Sequence, residues 1–157
     1  MNDERMNDER MSDEHEQLRP PPIVFPGQLA PESAYRTAWD LLARRAPAEA
    51  LDVLDPALEA EPGNTGLRTL RAWAYLMRAQ LQRAEEELRW LVEQNPSDDW
   101  ALHGLGRSLE RQSRYGEALP FLRLAAVMSG DPEHETAVLR VERRLVEIGE
   151  RDISDLT

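Results

Sequence analysis

A fixed period of thirty-four residues runs through the middle of the chain and limits what it can fold into. The period is carried by three alanines and by three leucines that follow them four positions later: Ala50, Ala84 and Ala118, then Leu54, Leu88 and Leu122. Repeats of this length are typical of helical hairpins that stack on one another, because a single hairpin cannot bury its apolar face alone. The pattern therefore predicts an all-α chain built from stacked hairpins.

Turn-forming residues divide the repeated region into helices. The stretches 61–64 and 95–97 each combine proline with asparagine, which ends one helix and lets the next one begin. Asn64 and Ser97 are expected to cap the following helices with their side-chain oxygens. Apolar residues at helical spacing then predict a first helix from Pro31, a second from Pro47, further helices over 65–78, 81–94, 98–112 and 115–129, and a last helix from Pro132 that stops at Gly149.

Small and large residues alternate at fixed positions within each repeated unit. In residues 99–132 the small ones are Gly106, Ala118 and Ala125, and the large ones around them are Leu102, Leu105, Leu109 and Leu122. This pattern resembles the tetratricopeptide repeat family, and residues 31–64 and 65–98 match it at Ala50, Leu54, Ala84 and Leu88. The resemblance implies an α-solenoid of three helical hairpins plus a C-terminal capping helix, which together occupy residues 31–150.

In tetratricopeptide repeat proteins the first helix of each hairpin lines a concave face. The resemblance places on that face a set of aromatic and basic residues: Tyr35, Trp39, Trp73, Trp100, His103 and Arg107. Aromatic side chains give a binding surface a large contact area at little entropic cost. We interpret the set as a groove for a protein or peptide segment, while the alternative, that the rings pack between helices, stays open.

Several charged residues depart from the pattern or form runs of their own. Arg68 and Arg71 stand where the family has apolar residues, so the third helix is expected to be rotated or slipped. The acidic run 85–87 is expected to face solvent. The same is expected of the arginines, whose alternative role is to pair with an acidic partner. These arginines are Arg107, Arg111, Arg114, Arg140, Arg143 and Arg144.

The composition argues against several classes of function. The net charge of -11 and the acidic isoelectric point make nucleic acid and anionic membranes poor partners. The absence of cysteine excludes disulfides and thiolate metal sites. No apolar run approaches the length of a membrane-spanning helix, and the acidic start of the sequence is unlike a signal peptide. A cytoplasmic protein is therefore expected.

The sequence predicts no catalytic residue, no cofactor site and no metal site. The three histidines, His15, His103 and His134, are far apart and lack the spacing of metal ligands on a helix. Ser108 and Ser113 lack the sequence context of a nucleophile elbow.

The N-terminal region is of a different kind from the repeats. Residues 1–18 repeat an acidic pentamer with candidate initiators at Met1, Met6 and Met11 and are expected to be disordered, and the acidic tail 151–157 is expected to be loose. Residues 1–30 thus consist of a disordered acidic N-terminus and a proline-rich segment. A proline-rich stretch, 20–26, carries an apolar triplet that either folds back on the helices or docks as a short motif.

Two functions therefore stay open. The first is a non-catalytic adaptor or scaffold that holds a partner segment in the aromatic groove. The second is a self-associating structural protein, in which the stretch 20–26 enters its own groove or that of a neighbour and a homo-oligomer can form.

Overall fold

The computed structural model of the protein describes residues 18–22 and 32–154. Within this part of the chain every regular element is an α-helix: α1 (Glu32–Ala43), α2 (Pro47–Ala60), α3 (Thr65–Met77), α4 (Leu81–Gln94), α5 (Asp99–Arg111), α6 (Tyr115–Ser129) and α7 (Pro132–Ser154). The predicted all-α class is confirmed. The expectations about residues 1–17, 23–31 and 155–157, including the apolar triplet at 23–25, lie outside the described residues.

Consecutive helices pack against each other as hairpins, and each hairpin packs against the next one. The hairpins are α1–α2, α3–α4 and α5–α6, and α7 closes the stack by packing against α6 and α5. One continuous apolar core runs through all of them. The two triplets that carry the period are completely buried in it: Ala50, Ala84, Ala118, Leu54, Leu88 and Leu122. The predicted α-solenoid is therefore the fold of the chain, and we call the side formed by α1, α3, α5 and α7 the first-helix face.

The turns inside the three hairpins share one backbone conformation. Arg45, Ala79 and Ser113 all have a positive φ, of 61°, 54° and 59°, and they stand at the same thirty-four-residue spacing. In each turn the amide of this residue donates to the carbonyl three residues back, and the next amide donates to the carbonyl five residues back. The left-handed conformation costs a residue with a Cβ about 1–2 kcal/mol, so the hairpin closes tightly at the expense of local strain.

The helix ends differ from the predicted ones in two places. Asn64 caps α3 as predicted, but Asp98 rather than Ser97 caps α5, since its carboxylate accepts from the Ala101 amide at 3.0 Å. The last helix also continues past Gly149 and ends at Ser154. Glycine keeps its backbone N–H and costs a helix only about 1 kcal/mol, so it does not by itself stop one.

Close approach of α5 and α6 makes Ala118 sensitive to enlargement. A Cβ added at Gly106, on the facing helix, would lie 2.5 Å from the Leu122 side chain and 3.3 Å from the Ala118 carbonyl oxygen. We expect Ala118→Leu to lower the free energy of unfolding by about 1–3 kcal/mol, because the added atoms have no space between the helices. Urea denaturation measures the loss, and Ala48→Leu, on the exposed side of α2, should leave the stability nearly unchanged. Equal midpoints for the two variants would contradict the packing assignment.

Candidate partner-binding groove

Residues 18–22, which precede the helical stack, lie against α5 and α7 on the first-helix face. The Arg19 carbonyl accepts a hydrogen bond of 2.9 Å from the indole Nε1 of Trp100, in the first turn of α5. The Arg19 guanidinium pairs with Asp131 at 2.7 Å and with Glu133 at 2.9 Å, at the beginning of α7. A main-chain contact and two ion pairs therefore hold an irregular segment of the chain between two helices.

The same segment also makes apolar contacts. Pro21 is fully buried, and Leu18 packs against the hydrophobic core. Leu18 reaches the second turn of α5, because its Cδ2 lies 3.7 Å from the point where Gly104 would carry a Cβ. A Cβ at Gly104 would be in ordinary van der Waals contact with Leu18, whereas it would lie only 3.1 Å from the Leu88 side chain of α4, so the close approach that favours glycine here is to α4.

Two stacked histidines lie beside the segment. The rings of His103, on α5, and His134, on α7, stack with their centroids 4.0 Å apart, and both line a cavity of about 260 Å³ together with Leu18. Burial, helped by the neighbouring His134 and by Arg107 and Arg140, lowers the pKa of His103 to about 3. His103 is therefore neutral near pH 7 and adds no charge to the groove.

The six residues predicted for the groove fall into two clusters. Trp39 and Trp73 contact each other at 5.3 Å between ring centroids, and Tyr35 lies against α3 beside them. Trp73 and Tyr35 are 4% and 7% exposed, whereas Trp39 is half-buried. The second cluster consists of Trp100, His103 and Arg107, which line the cavity next to residues 18–22. A binding role for either cluster stays a prediction.

A larger cavity, of about 850 Å³, opens further along α5 and α7. Five arginines line it, with two glutamates among them: Arg107, Arg111, Arg140, Arg143 and Arg144, with Glu110 and Glu147. The expectation of a solvated arginine face is thus wrong for Arg107, which is 9% exposed. Helices α5 and α7 lie side by side, so their basic residues line the same cavity. The spacing of residues along a single helix could not predict this arrangement.

One carboxylate inside this cavity is shared by two arginines. Glu110 accepts from Arg140 at 2.5 and 2.9 Å and also pairs with Arg107. Burial alone would raise the pKa of Glu110, but the hydrogen bonds and charges of Arg140 and Arg107 outweigh it, and the pKa is lowered. Glu110 therefore stays ionised, and the arginines around it outnumber the carboxylates.

The acidic run on α4 does not face solvent as predicted. Only Glu86 is exposed, while Glu85 and Glu87 are 9% and 8% exposed. Glu85 accepts from Arg114 and Gln112, and Glu87 accepts from Arg71. The expectation was wrong because arginines on adjacent helices neutralise both carboxylates, which makes their burial tolerable.

Sequence reasoning missed the part of the groove that α7 supplies. Asp131 and Glu133 stand at the start of the last helix in the sequence, and in the structure their carboxylates also hold Arg19. His134 and Arg140 were likewise assigned no place in the groove, although both line the cavity at Leu18. The sequence position of α7 could have predicted this role. Because α7 follows the third hairpin, it is equivalent to the first helix of a fourth hairpin, and it therefore lies on the same face as α1, α3 and α5.

Comparison with known proteins identifies the architecture. Residues 41–109 match the family model described as tetratricopeptide repeat. Among solved structures, the TPR domain of Arabidopsis OM64 superposes with a TM-score of 0.68 at 20% identity, covering 71% of this chain and 93% of that one. The Sgt2 TPR domain from Aspergillus fumigatus gives 0.69 at 20% identity, with 76% and 81% covered. The first TPR domain of human RPAP3 gives 0.67 at 20% identity, with 73% and 91% covered.

These likenesses concern the fold, because the sequence identities are low. The search of curated proteins gives no match. Among the described residues, no helix combines the length and the apolar character needed to cross a bilayer, and no group of three or more histidines and carboxylates could hold a metal ion.

Proposed function

We propose that this chain, whose residues 41–109 match the tetratricopeptide repeat model, is a non-catalytic adaptor or scaffold that binds an extended segment of a partner protein on its first-helix face. Modules of this fold generally mediate protein–protein interaction. The proposal also includes the location of the binding groove and the chemistry of its ligand. The groove runs from the half-buried Trp39 at one end to Trp100, His103 and Arg107 at the other. A cytoplasmic location stays a prediction of the sequence.

The observation that supports the proposal is the seating of residues 18–22 at one end of this groove. Their contacts are those by which a folded surface takes up an extended peptide: an indole donates to a main-chain carbonyl, carboxylates hold a basic side chain, and a proline is buried. Proline-rich segments suit such a site, since their extended conformation is already formed before binding. The ligand chemistry we infer is a basic residue followed by proline.

Releasing the chain's own segment is expected to make the groove available to a peptide added from outside. In Arg19→Glu the reversed charge would be repelled by Asp131 and Glu133, so the groove would be open in a larger fraction of molecules. We expect a fluorescent peptide with the sequence of residues 17–26 to bind this full-length variant about tenfold more tightly than the parent chain, measured by fluorescence anisotropy. Arg44→Glu is the control, because it makes the same charge change at an exposed residue after α1. Equal affinities in all three proteins would contradict the proposed groove.

Self-association is a second candidate function, and one feature of the surface favours it. Among the residues that the structure describes, the exposed large hydrophobic residues lie on α6 and α7, at the C-terminal end of the stack: Leu124, Val127, Met128, Leu139 and Val146. A neighbour could cover this end while its stretch 20–26 enters the groove. Sedimentation of the full-length chain tests the idea, because a monomer at every concentration would rule it out.

A further inference from the structure

The arginine-lined cavity between α5 and α7 has no ligand in the function proposed so far. Its lining carries five arginines and two glutamates, although the whole chain has a net charge of -11. Two of these arginines, Arg107 and Arg140, also line the smaller cavity where Leu18 lies. The two cavities are therefore adjacent, and one ligand could extend from the first into the second.

The contacts fix the direction in which the chain approaches this cavity. Helices α5 and α7 run the same way, because His103 stacks on His134 and, further along both helices, Glu110 pairs with Arg140. Residues 18 and 19 give the direction of the N-terminal segment on α5. The Arg19 carbonyl accepts a hydrogen bond from Trp100 in the first turn of α5, and Leu18, one residue earlier in the chain, lies at Gly104 in the second turn. Read backwards from Arg19 to Leu18, the described segment therefore runs toward the later turns of both helices, where the arginines lie.

The length and charge of the preceding residues match the cavity. From Gly104 to the end of α5 near Ser113 the helix rises about 13 Å, at about 1.5 Å per residue. An extended chain covers this distance in about four residues, and the fourth residue before Leu18 in the sequence is Glu14. The stretch Ser12–Gln17 carries the carboxylates Asp13, Glu14 and Glu16, which matches the excess of arginines over glutamates in the lining. Arginine forks bind carboxylates with good geometry.

We propose that this arginine cavity is a binding site for acidic peptide, and that the acidic stretch Ser12–Gln17 of the same chain occupies it in continuation of residues 18–22. The inference rests on the proposed function, since it deepens the ligand of the same groove. The N-terminal region is then an intramolecular ligand with two parts, an acidic one in the arginine cavity and a basic and proline-rich one at Trp100. A partner that displaces it carries acidic residues followed by a basic residue and proline.

Disulfide trapping in the full-length chain tests the placement, because the protein contains no cysteine of its own. Glu14→Cys is combined with Arg143→Cys, an exposed residue in the lining of the cavity. The matched control combines Glu14→Cys with Glu93→Cys, an exposed residue on α4. In dilute protein under mild oxidation, we expect the first pair to form an intramolecular disulfide at least about tenfold faster, owing to the higher local concentration of the two thiols. Far-ultraviolet circular dichroism confirms that both variants fold.

The outcomes separate this inference from the proposed function. Hydrogen exchange of the Trp100 indole N–H, followed by NMR in the same variants, reports whether residues 18–22 are seated. A protected indole together with fast oxidation of the first pair supports the placement. A protected indole with equal oxidation rates in the two pairs overturns the placement and leaves the groove intact. An unprotected indole overturns both, and disulfides that form only between molecules overturn the intramolecular assignment.

Discussion

Replacing Glu87 with leucine is expected to lower the free energy of unfolding by about 3 kcal/mol, because two guanidinium groups would lose their buried counter-charge. Glu87 accepts from Arg71 and lies 3.6 Å from the Nε of Arg68, both on the neighbouring helix α3. Glu87 is 8% exposed. The arginines keep about a fifth of their side-chain surface in water, so the expected cost is at the lower end for a broken buried pair.

The pair also connects more than two helices. Arg71 bonds to Asp55 of α2 at 3.4 Å, and the guanidinium of Arg68 lies 4.0 Å from the centre of the Trp90 ring. The charge and hydrogen bond of Glu87 outweigh burial and raise the pKa of Arg71, which keeps its guanidinium charged. Loss of Glu87 would therefore leave a charge that cannot be removed by deprotonation.

A double-mutant cycle tests this account by urea denaturation at pH 7. Glu87→Leu and Arg71→Leu are each expected to destabilise the protein, while the double variant should be more stable than the sum of the two losses predicts by about 2 kcal/mol. Glu86→Leu is the control, because the neighbouring carboxylate is exposed and its loss should change the stability by less than about 0.5 kcal/mol. Additive losses in the cycle would contradict the ion pair.

These arginines illustrate what the repeat pattern could and could not predict. Arg68 and Arg71 at apolar positions of the motif predict a rotated or slipped helix, whereas α3 buries Leu67 and Leu70 and also keeps Ala72 completely buried. The mismatch is compensated by a carboxylate on the next helix, sixteen residues beyond Arg71. A motif records which positions are apolar in most members, and it carries no information on charges that neutralise each other across two helices.

The hairpin turns give the converse case. Their position followed from the period, but their conformation did not, because no glycine or asparagine stands at residues 45, 79 and 113. Packing of the two helices in each hairpin imposes the left-handed conformation on Arg45, Ala79 and Ser113. Local preference predicts such a turn only when the residue favours it.

Part of the candidate site was within reach of sequence reasoning. The positions of Trp100, His103 and Arg107 on the first-helix face followed from the helical register, and these three residues line one cavity. The seating of residues 18–22 against them was not predictable, since it joins Arg19 to Trp100 and to Asp131 across more than eighty residues of chain. Such long-range contacts depend on the curvature and length of the whole stack.

Lowering the pH from 7 to 5 is expected to reduce the free energy of unfolding by about 2 kcal/mol through His103 alone. The pKa of His103 is about 3 in the folded protein, against about 6.5 for an exposed histidine. Between these values the unfolded chain binds a proton that the folded chain does not, so stability falls as the pH drops below 6.5 and continues to fall toward 3. Each pH unit within this window corresponds to about 1.4 kcal/mol.

The physical cause is the position of His103 in the groove. The His103 side chain is half-buried, and this partial burial, together with His134, Arg107 and Arg140 nearby, disfavours the charged form, while Asp131 favours it. No group among the described residues forms a hydrogen bond with its Nδ1, so a proton on that atom would have no acceptor there. Protonation would also add a positive charge beside the arginines that, in our proposal, hold the acidic stretch of the chain.

Urea denaturation at pH 7, 6 and 5 measures the effect in the parent chain and in His103→Gln, whose side chain does not titrate. The decrease in stability between pH 7 and 5 should be smaller in the variant by about 2 kcal/mol. His103→Phe keeps an aromatic ring against His134 and is expected to show the same reduced dependence, which separates titration from the loss of ring packing. Carboxylates with lowered pKa values, such as Glu110 and Asp131, lose their contribution to the stability only at more acidic pH. Their protonation therefore does not account for a change between pH 7 and pH 5. If all three proteins lose stability equally over these two pH units, His103 is more hydrated than its position against His134 and the arginines implies.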